Sequence, residues 1–214
     1  MKKFFLTLVV MLMSLNAIDS MAQSIFSNKE YDGGHQAREA YLQGAVPEVD
    51  GKVVFTKSID AAGMNKADIY LRLTNWASLR YNPSTERGKW NDVNYFKNSE
   101  YARILKASAE DGTLKIQGNE DMVFTNKTLA KDMAVVSYIL NVVMTDGKAD
   151  VTIDNISYTY NLTENAERIE ADDWITDKEA FTKSGKFNKG SGKFRVKTVD
   201  LVTELFAEIE EALK

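Results

Sequence analysis

The sequence predicts an α+β two-layer domain in the element order β-α-β-β-β-β-α, an antiparallel sheet of about five strands with amphipathic helices laid against it. Three observations carry this. Two Asp-Gly dipeptides, Asp111-Gly112 and Asp146-Gly147, each join a pair of strand-like runs, and hairpins make consecutive strands antiparallel. Across Met133–Thr145 the large apolar residues Ala134, Val136, Tyr138, Leu140, Val142 and Met144 recur with a period of two, as one face of a half-buried strand requires. Near each end of the domain a stretch repeats apolar residues at spacings of three and four.

The central hairpin sets the frame. A turn at Asp146-Gly147 pairs Met144 with Ala149, Val142 with Val151 and Leu140 with Ile153. Beyond Ile153 the apolar residues Ile156, Tyr158 and Tyr160 have the wrong parity for that face. One extra residue near Asp154-Asn155, a β-bulge, restores it and sets Ile156 against Tyr138, Tyr158 against Val136 and Tyr160 against Ala134. The alternative is that Val151 and Ile153 face the other side of the sheet.

In chain order, the first strand is expected over Lys52 to about Ile59. Pro47 forces an extended entry, and Asp50-Gly51 turns the chain before the β-branched run Val53-Val54-Phe55. Asn65 with Asp68 three residues on has the form of a helix start. The helix then runs from Lys66 to about Leu79 and buries Ile69, Leu73, Trp76 and Ala77. Strands are expected over Ala102–Ala109 and from Thr113 to about Phe124, with Gly118 marking a weak point or a bulge. An acidic run, Glu164 to Asp173, reads as a solvated face. A helical turn over Asp177–Lys183 and a glycine-punctuated connector follow. The last helix is expected from Thr198 to about Leu213, with Val199, Val202, Leu205, Phe206 and Ile209 inward and Glu204, Glu208, Glu210 and Glu211 outward.

The N-terminal stretch is an address. Lys2 and Lys3 precede an apolar run from Phe4 to Leu15, then the small-residue site Ser20-Met21-Ala22, the pattern of a secretory signal peptide over residues 1–22. Export to the periplasm or beyond the cell, with a mature start at Gln23, is the expectation. The run falls short of the roughly 20 apolar residues of a membrane helix, and no later segment approaches that length. Residues 23–45 read as a flexible lead with a short helix over Gln36–Gln43, and residues 46–214 as a single domain. With no cysteine, disulfides and a cysteine-linked lipid anchor are excluded. Losing Lys2, Lys3 and Asp19 takes the net charge from −4 to −5, which gives the chain no electrostatic reason to seek nucleic acid. The basic residues Lys183, Lys186, Lys189, Lys193, Arg195 and Lys197 read as a solvated patch.

Four stretches together resemble one family: AYLQGAVPEVDGKVVF (Ala40–Phe55), IYLRLTNW (Ile69–Trp76), TDGK (Thr145–Lys148) and GKFRVKTVDLVTELF (Gly192–Phe206). It is a family of secreted domains of unknown function from Bacteroides-type bacteria with a TATA-binding-protein-like fold. The resemblance spans about Ala40 to Leu213 and implies a curved antiparallel sheet with helices on one face. It implies no activity and carries over no functional residue, and the fold name brings no DNA binding with it.

Catalytic constellations are sparse. The one histidine, His35, falls in the lead, so a serine-type triad has no base beside a nucleophile, and thiolate and His/Cys zinc chemistry lack their ligands. No glycine-rich phosphate loop occurs, and no cofactor is implied. Carboxylates leave a two-carboxylate hydrolase as the one enzyme class the composition permits. The stretch Tyr81–Tyr101 is different: a long polar segment that interleaves Trp90, Tyr95 and Tyr101 with Asp92 and Glu100, the mixture that holds a glycan by its faces and hydroxyls. The alternative is that these rings pin a long loop to the sheet. Three readings of function follow. One is an exported non-catalytic binding or interaction domain for a glycan or envelope component. The others are a structural accessory of the cell envelope and a carboxylate hydrolase.

Overall fold

The computed structural model describes residues 39–82, 86–87, 96–97, 99, 101–127, 130–161 and 165–214; the stretch expected to be a signal peptide and most of the expected lead lie outside them. The main sheet is six-stranded and antiparallel, one strand more than the sequence predicts. Its long strands are β6 (Arg103–Ser108), β7 (Thr113–Lys127), β8 (Ala130–Thr145) and β9 (Lys148–Tyr160), paired in that order. The outer edge of β9 is shared. β3 (Phe55–Asp60) pairs with residues 148–153 of β9, and β10 (Glu167–Glu170) with residues 157–160. Glu48–Val49 (β1) and Lys52–Val53 (β2) form a separate ribbon, so the predicted first strand is broken at Val54. A second ribbon pairs Glu86–Arg87 (β4) with Phe96–Lys97 (β5).

The register of the central hairpin is the predicted one: Met144 faces Ala149, Val142 faces Val151, and Leu140 faces Ile153. The bulge is there as well. Ser137 pairs with Ser157 and Ile139 with Asp154, so Tyr138 faces two residues, Asn155 and Ile156, and Asn155 takes a left-handed φ of 50°. Val151, Ile153, Ile156 and Tyr158 are consequently all buried on one face. The bulge also divides the edge of β9 into the half that takes β3 and the half that takes β10. A type I′ turn, the usual form for Asp-Gly in a hairpin, needs positive φ at both central residues; here Gly147 has it but Asp146 does not. Tertiary bonds shape it, since Lys66 N donates to Asp146 Oδ1 at 2.7 Å and Gly147 N to Met64 O at 2.8 Å. Positive φ at both central residues occurs instead at Asp50-Gly51.

Helix α1 (Lys66–Arg80) starts at the predicted cap, where Asn65 Oδ1 accepts from Asp68 N at 2.9 Å. It buries Ile69, Leu73 and Ala77. After a single turn of helix, α2 (Asp177–Ala180), the chain ends in α3 (Ser191–Ala212), which begins seven residues earlier than the periodicity suggests. Both long helices pack on the face carrying Val136, Tyr138 and Leu140 and close one continuous core.

Four sequence expectations give way to packing. Gly118 is no bulge: it pairs with Tyr138, whose ring lies across it, and a Cβ there would sit 2.1 Å from Tyr138 Cζ. Gly118→Ala is therefore expected to cost about 3 kcal/mol, roughly 10 °C in melting temperature, which a thermal melt measures. Arg195 is not a surface charge. It is fully buried and donates to the carbonyls of Tyr41 (2.8 Å), Leu42 (2.5 Å) and Ile175 (2.7 Å) and to Asp177 Oδ1 (2.7 Å). The lead is accordingly docked from Tyr41 on, whose hydroxyl also donates to Asp200 Oδ1 at 2.6 Å. Lys193 binds Asp132 Oδ2 at 2.6 Å and sits 4.5 Å from the ring centroids of Phe124 and Tyr160. The acidic run holds β10, and its Asp172 accepts from Val53 N and Lys52 Nζ at 2.7 Å each, stapling the β1–β2 ribbon to the sheet.

Candidate functional site

Strand alternation gives the sheet two faces, and α1 and α3 occupy only one. The other carries no helix among the described residues. Along β8 it presents Met133, Val135, Ser137, Ile139, Asn141 and Val143, residues of opposite parity to the core row. The aliphatic members are partly open to solvent, Val143 at 49% exposure. Polar residues rim this row. Thr113, Lys115, Gln117, Asn119 and Asp121 stand beside it on β7, and Asp150, Thr152, Asp154, Ser157 and Thr159 on β9. An apolar strip bordered by polar groups is the usual form of a recognition surface.

One cross-strand row ties this face to the aromatic stretch. Asn119 Nδ2 donates to Ser137 Oγ at 2.6 Å, and Ser137 faces Ser157. On the other side Ser99 N donates to Asn119 O at 2.9 Å and Ser99 Oγ bonds Asn119 Oδ1, while Tyr101 N donates to Ser99 Oγ at 3.1 Å. Tyr101 therefore stands at the end of the row with its side chain outward, 57% exposed, while Ala102 turns into the core. Of the other predicted site residues, Trp90, Asp92, Tyr95 and Glu100 lie outside the described residues. The start of the stretch is scaffolding: Tyr81 is buried and its hydroxyl bonds the Tyr138 hydroxyl at 3.1 Å.

A second polar cluster lies inside the protein. Arg80, at the last position of α1, donates to Glu120 Oε2 at 3.0 Å and contacts Glu208 Oε2 of α3 at 3.2 Å. Tyr138 donates to Glu120 Oε1 at 2.7 Å, and Trp76 Nε1 to Glu208 Oε2 at 3.0 Å. Burial pushes the Tyr138 and Tyr81 phenols up from their ordinary range, so both keep their protons and Tyr138 acts as a donor. Glu208, expected on the outer face of its helix, is thus turned inward. Two carboxylates sharing one guanidinium, with Glu120 only 3% exposed, form a structural clamp between α1, β7 and α3. Sequence reasoning missed it, although Glu120 has the core parity of Leu114, Ile116 and Met122 on its strand, and a charge there demands a buried partner. An open groove beside the clamp is lined by Arg72, Asn75, Trp76, Leu79, Glu208 and Glu211. Among the described residues no group of three or more carboxylates or histidines could hold a metal ion, and no helix is long and apolar enough to cross a membrane.

Residues 55–159 match the profile of DUF4468, a domain of unknown function with a TBP-like fold. The crystal structure of a DUF4468 family protein from Bacteroides ovatus is 34% identical, with a TM-score of 0.71 over 84% of this chain and 96% of that one. A TBP-like protein from Parabacteroides distasonis is similar in fold at 18% identity, with a TM-score of 0.61 over 78% of this chain and 96% of its own. No curated protein matches the chain.

Proposed function

This chain belongs to the DUF4468 family of domains of unknown function with a TBP-like fold, and from that premise we propose that it is an exported, non-catalytic binding or interaction domain whose recognition surface is the helix-free face of its sheet. The observation that carries the reading is the partly exposed aliphatic row of β8 between polar flanks, with Tyr101 at one end of the row through Asn119. A glycan or another envelope component suits such a surface, because rings and aliphatic side chains take its flat faces while amides, hydroxyls and carboxylates take its hydroxyls. Trp90, Asp92, Tyr95 and Glu100, from the same stretch as Tyr101, are proposed to add contacts. Export rests on the basic start, apolar run and small-residue site of residues 1–22.

A screen of soluble glycans and envelope peptides against the chain from Gln23 tests this. Tyr101→Ala is expected to weaken the ligand found at least tenfold, while the melting temperature barely moves, as an exposed ring allows. Unchanged affinity with a large drop in melting temperature would make Tyr101 scaffolding.

A further inference from the structure

The two flanks of the helix-free face differ in charge. On one side Lys115 of β7 and Arg103 and Lys106 of β6 share the face; on the other are Asp150 and Asp154 of β9. In register terms Lys115 lies level with Asn141 and Thr152, and Asp150 and Asp154 are the face's residues on either side of Thr152. Other charges moderate both flanks: Asp121 shares the face on β7, Lys148 shares it on β9 and pairs with Asp150 at 2.9 Å, Lys106 pairs with Asp111 at 3.2 Å, and Asp154 accepts from Asn155. These pairs are exposed and leave the flanks of opposite sign.

We propose that this face docks a second copy of the same chain, about a two-fold axis running along β8. The inference rests on reading the helix-free face as an interaction surface and names its partner. A rotation about the β8 direction exchanges left and right but keeps the level along the strand. It therefore lays the β8 row on its own counterpart, Ile139 on Ile139 and Val143 on Val143, and sets each Lys115 over the Asp150–Asp154 stretch opposite. Because the interface is isologous, that charge contact is made twice. Two sheets packing face to face with nearly aligned strands is a standard solution, with the inner faces about 10 Å apart. Asn119, Ser157 and Val123 are already buried at the Met133 end of the face, so the open part lies at the level of Ile139 to Thr145, where five strands, β6 to β9 with β3, offer a patch of about 20 by 24 Å and two copies would bury about 1,000 Å². That is the lower end for a specific interface and fits a dimer of micromolar rather than nanomolar strength.

Sedimentation velocity on the chain from Gln23, from about 1 to 500 μM, is the test. A dimer that weakens as salt is raised is expected. Ile139→Lys is expected to weaken association at least tenfold without lowering the melting temperature, and Lys115→Glu likewise. The decisive arm mixes Lys115→Glu protein with Asp150→Lys/Asp154→Lys protein. Each alone opposes like charges and should stay monomeric, whereas the mixed pair has both contacts restored and should form a heterodimer. Absence of any dimer at 500 μM, or a dimer indifferent to these variants, overturns the inference. If the wild type is monomeric while Ile139→Lys still abolishes retention of a glycan or peptide from the screen, self-association falls and the recognition face stands. If Ile139→Lys changes neither, both fall.

Discussion

Deleting Thr152 is expected to leave little folded protein at 25 °C, whereas deleting Asn155 is expected to leave the fold intact. Asn155 is the extra residue of the bulge, and without it Val151, Ile153, Ile156, Tyr158 and Tyr160 alternate along one unbroken strand face. Thr152 lies in the regular half of β9, where losing one residue sends its neighbours to the opposite face: Ile153 would leave the core and the Asp154 carboxylate would enter it. Exposing the large side chain costs about 1.5–3 kcal/mol and burying an unpaired carboxylate several more, so the loss is about 5 kcal/mol or more, comparable with the whole stability of a domain. Urea denaturation followed by circular dichroism measures it. The Asn155 deletion, and Asn155→Gly, which keeps the left-handed φ, are expected to stay within about 2 kcal/mol of the native protein. An Asn155 deletion as damaging as that of Thr152 would show that Asn155 is not the residue the bulge absorbs.

The second large effect is expected at Glu120. Replacing it with alanine strands the Arg80 guanidinium under α1 and removes the acceptor of the Tyr138 hydroxyl. Breaking a buried pair from one side costs about 3–5 kcal/mol. Glu208 keeps its contact with Arg80, so the lower part of that range is expected. Two features separate this loss from that of a surface bridge. It should be nearly independent of added salt, because the pair is screened by protein rather than by solution. Removing both charges, as in Arg80→Met with Glu120→Leu, should also recover much of what Glu120→Ala loses. Equal instability of the single and double variants would argue against the ion pair as the cause.

Much of this architecture could be read from residues alone, where alternation is long and turns are marked. The register of β8 and β9 followed from the Asp146-Gly147 turn, and the bulge from the parity slip between Ile153 and Ile156, which the structure resolves in its favour over a turned-out Val151 and Ile153. β10 escaped because a four-residue edge strand with one apolar member, Ile169, between charged neighbours has no periodicity to detect. The start of α3 escaped because Gly190 and Gly192 read as a connector and Arg195 as a surface charge; only the carbonyls of Tyr41, Leu42 and Ile175 make a buried guanidinium sensible. For the candidate site, Tyr101 was legible as an aromatic in polar company. The wider face was written in the same β8 alternation that revealed the core, as its other half. The link from Tyr101 through Ser99 and Asn119 is a tertiary fact that no spacing foretells.

The bonds of Arg195 bear on the order in which the molecule can be completed. Its guanidinium joins Tyr41 and Leu42, the first docked residues, to the first turns of the last helix, more than 150 positions away. The hairpins from β6 to β9 are contiguous in sequence and can form as soon as they are made, whereas this bond has no partner until α3 exists. A chain stopped anywhere before Ser191 has the carbonyls but neither the guanidinium that gathers them nor the helix that roofs the sheet, so the protein is closed by its final two dozen residues.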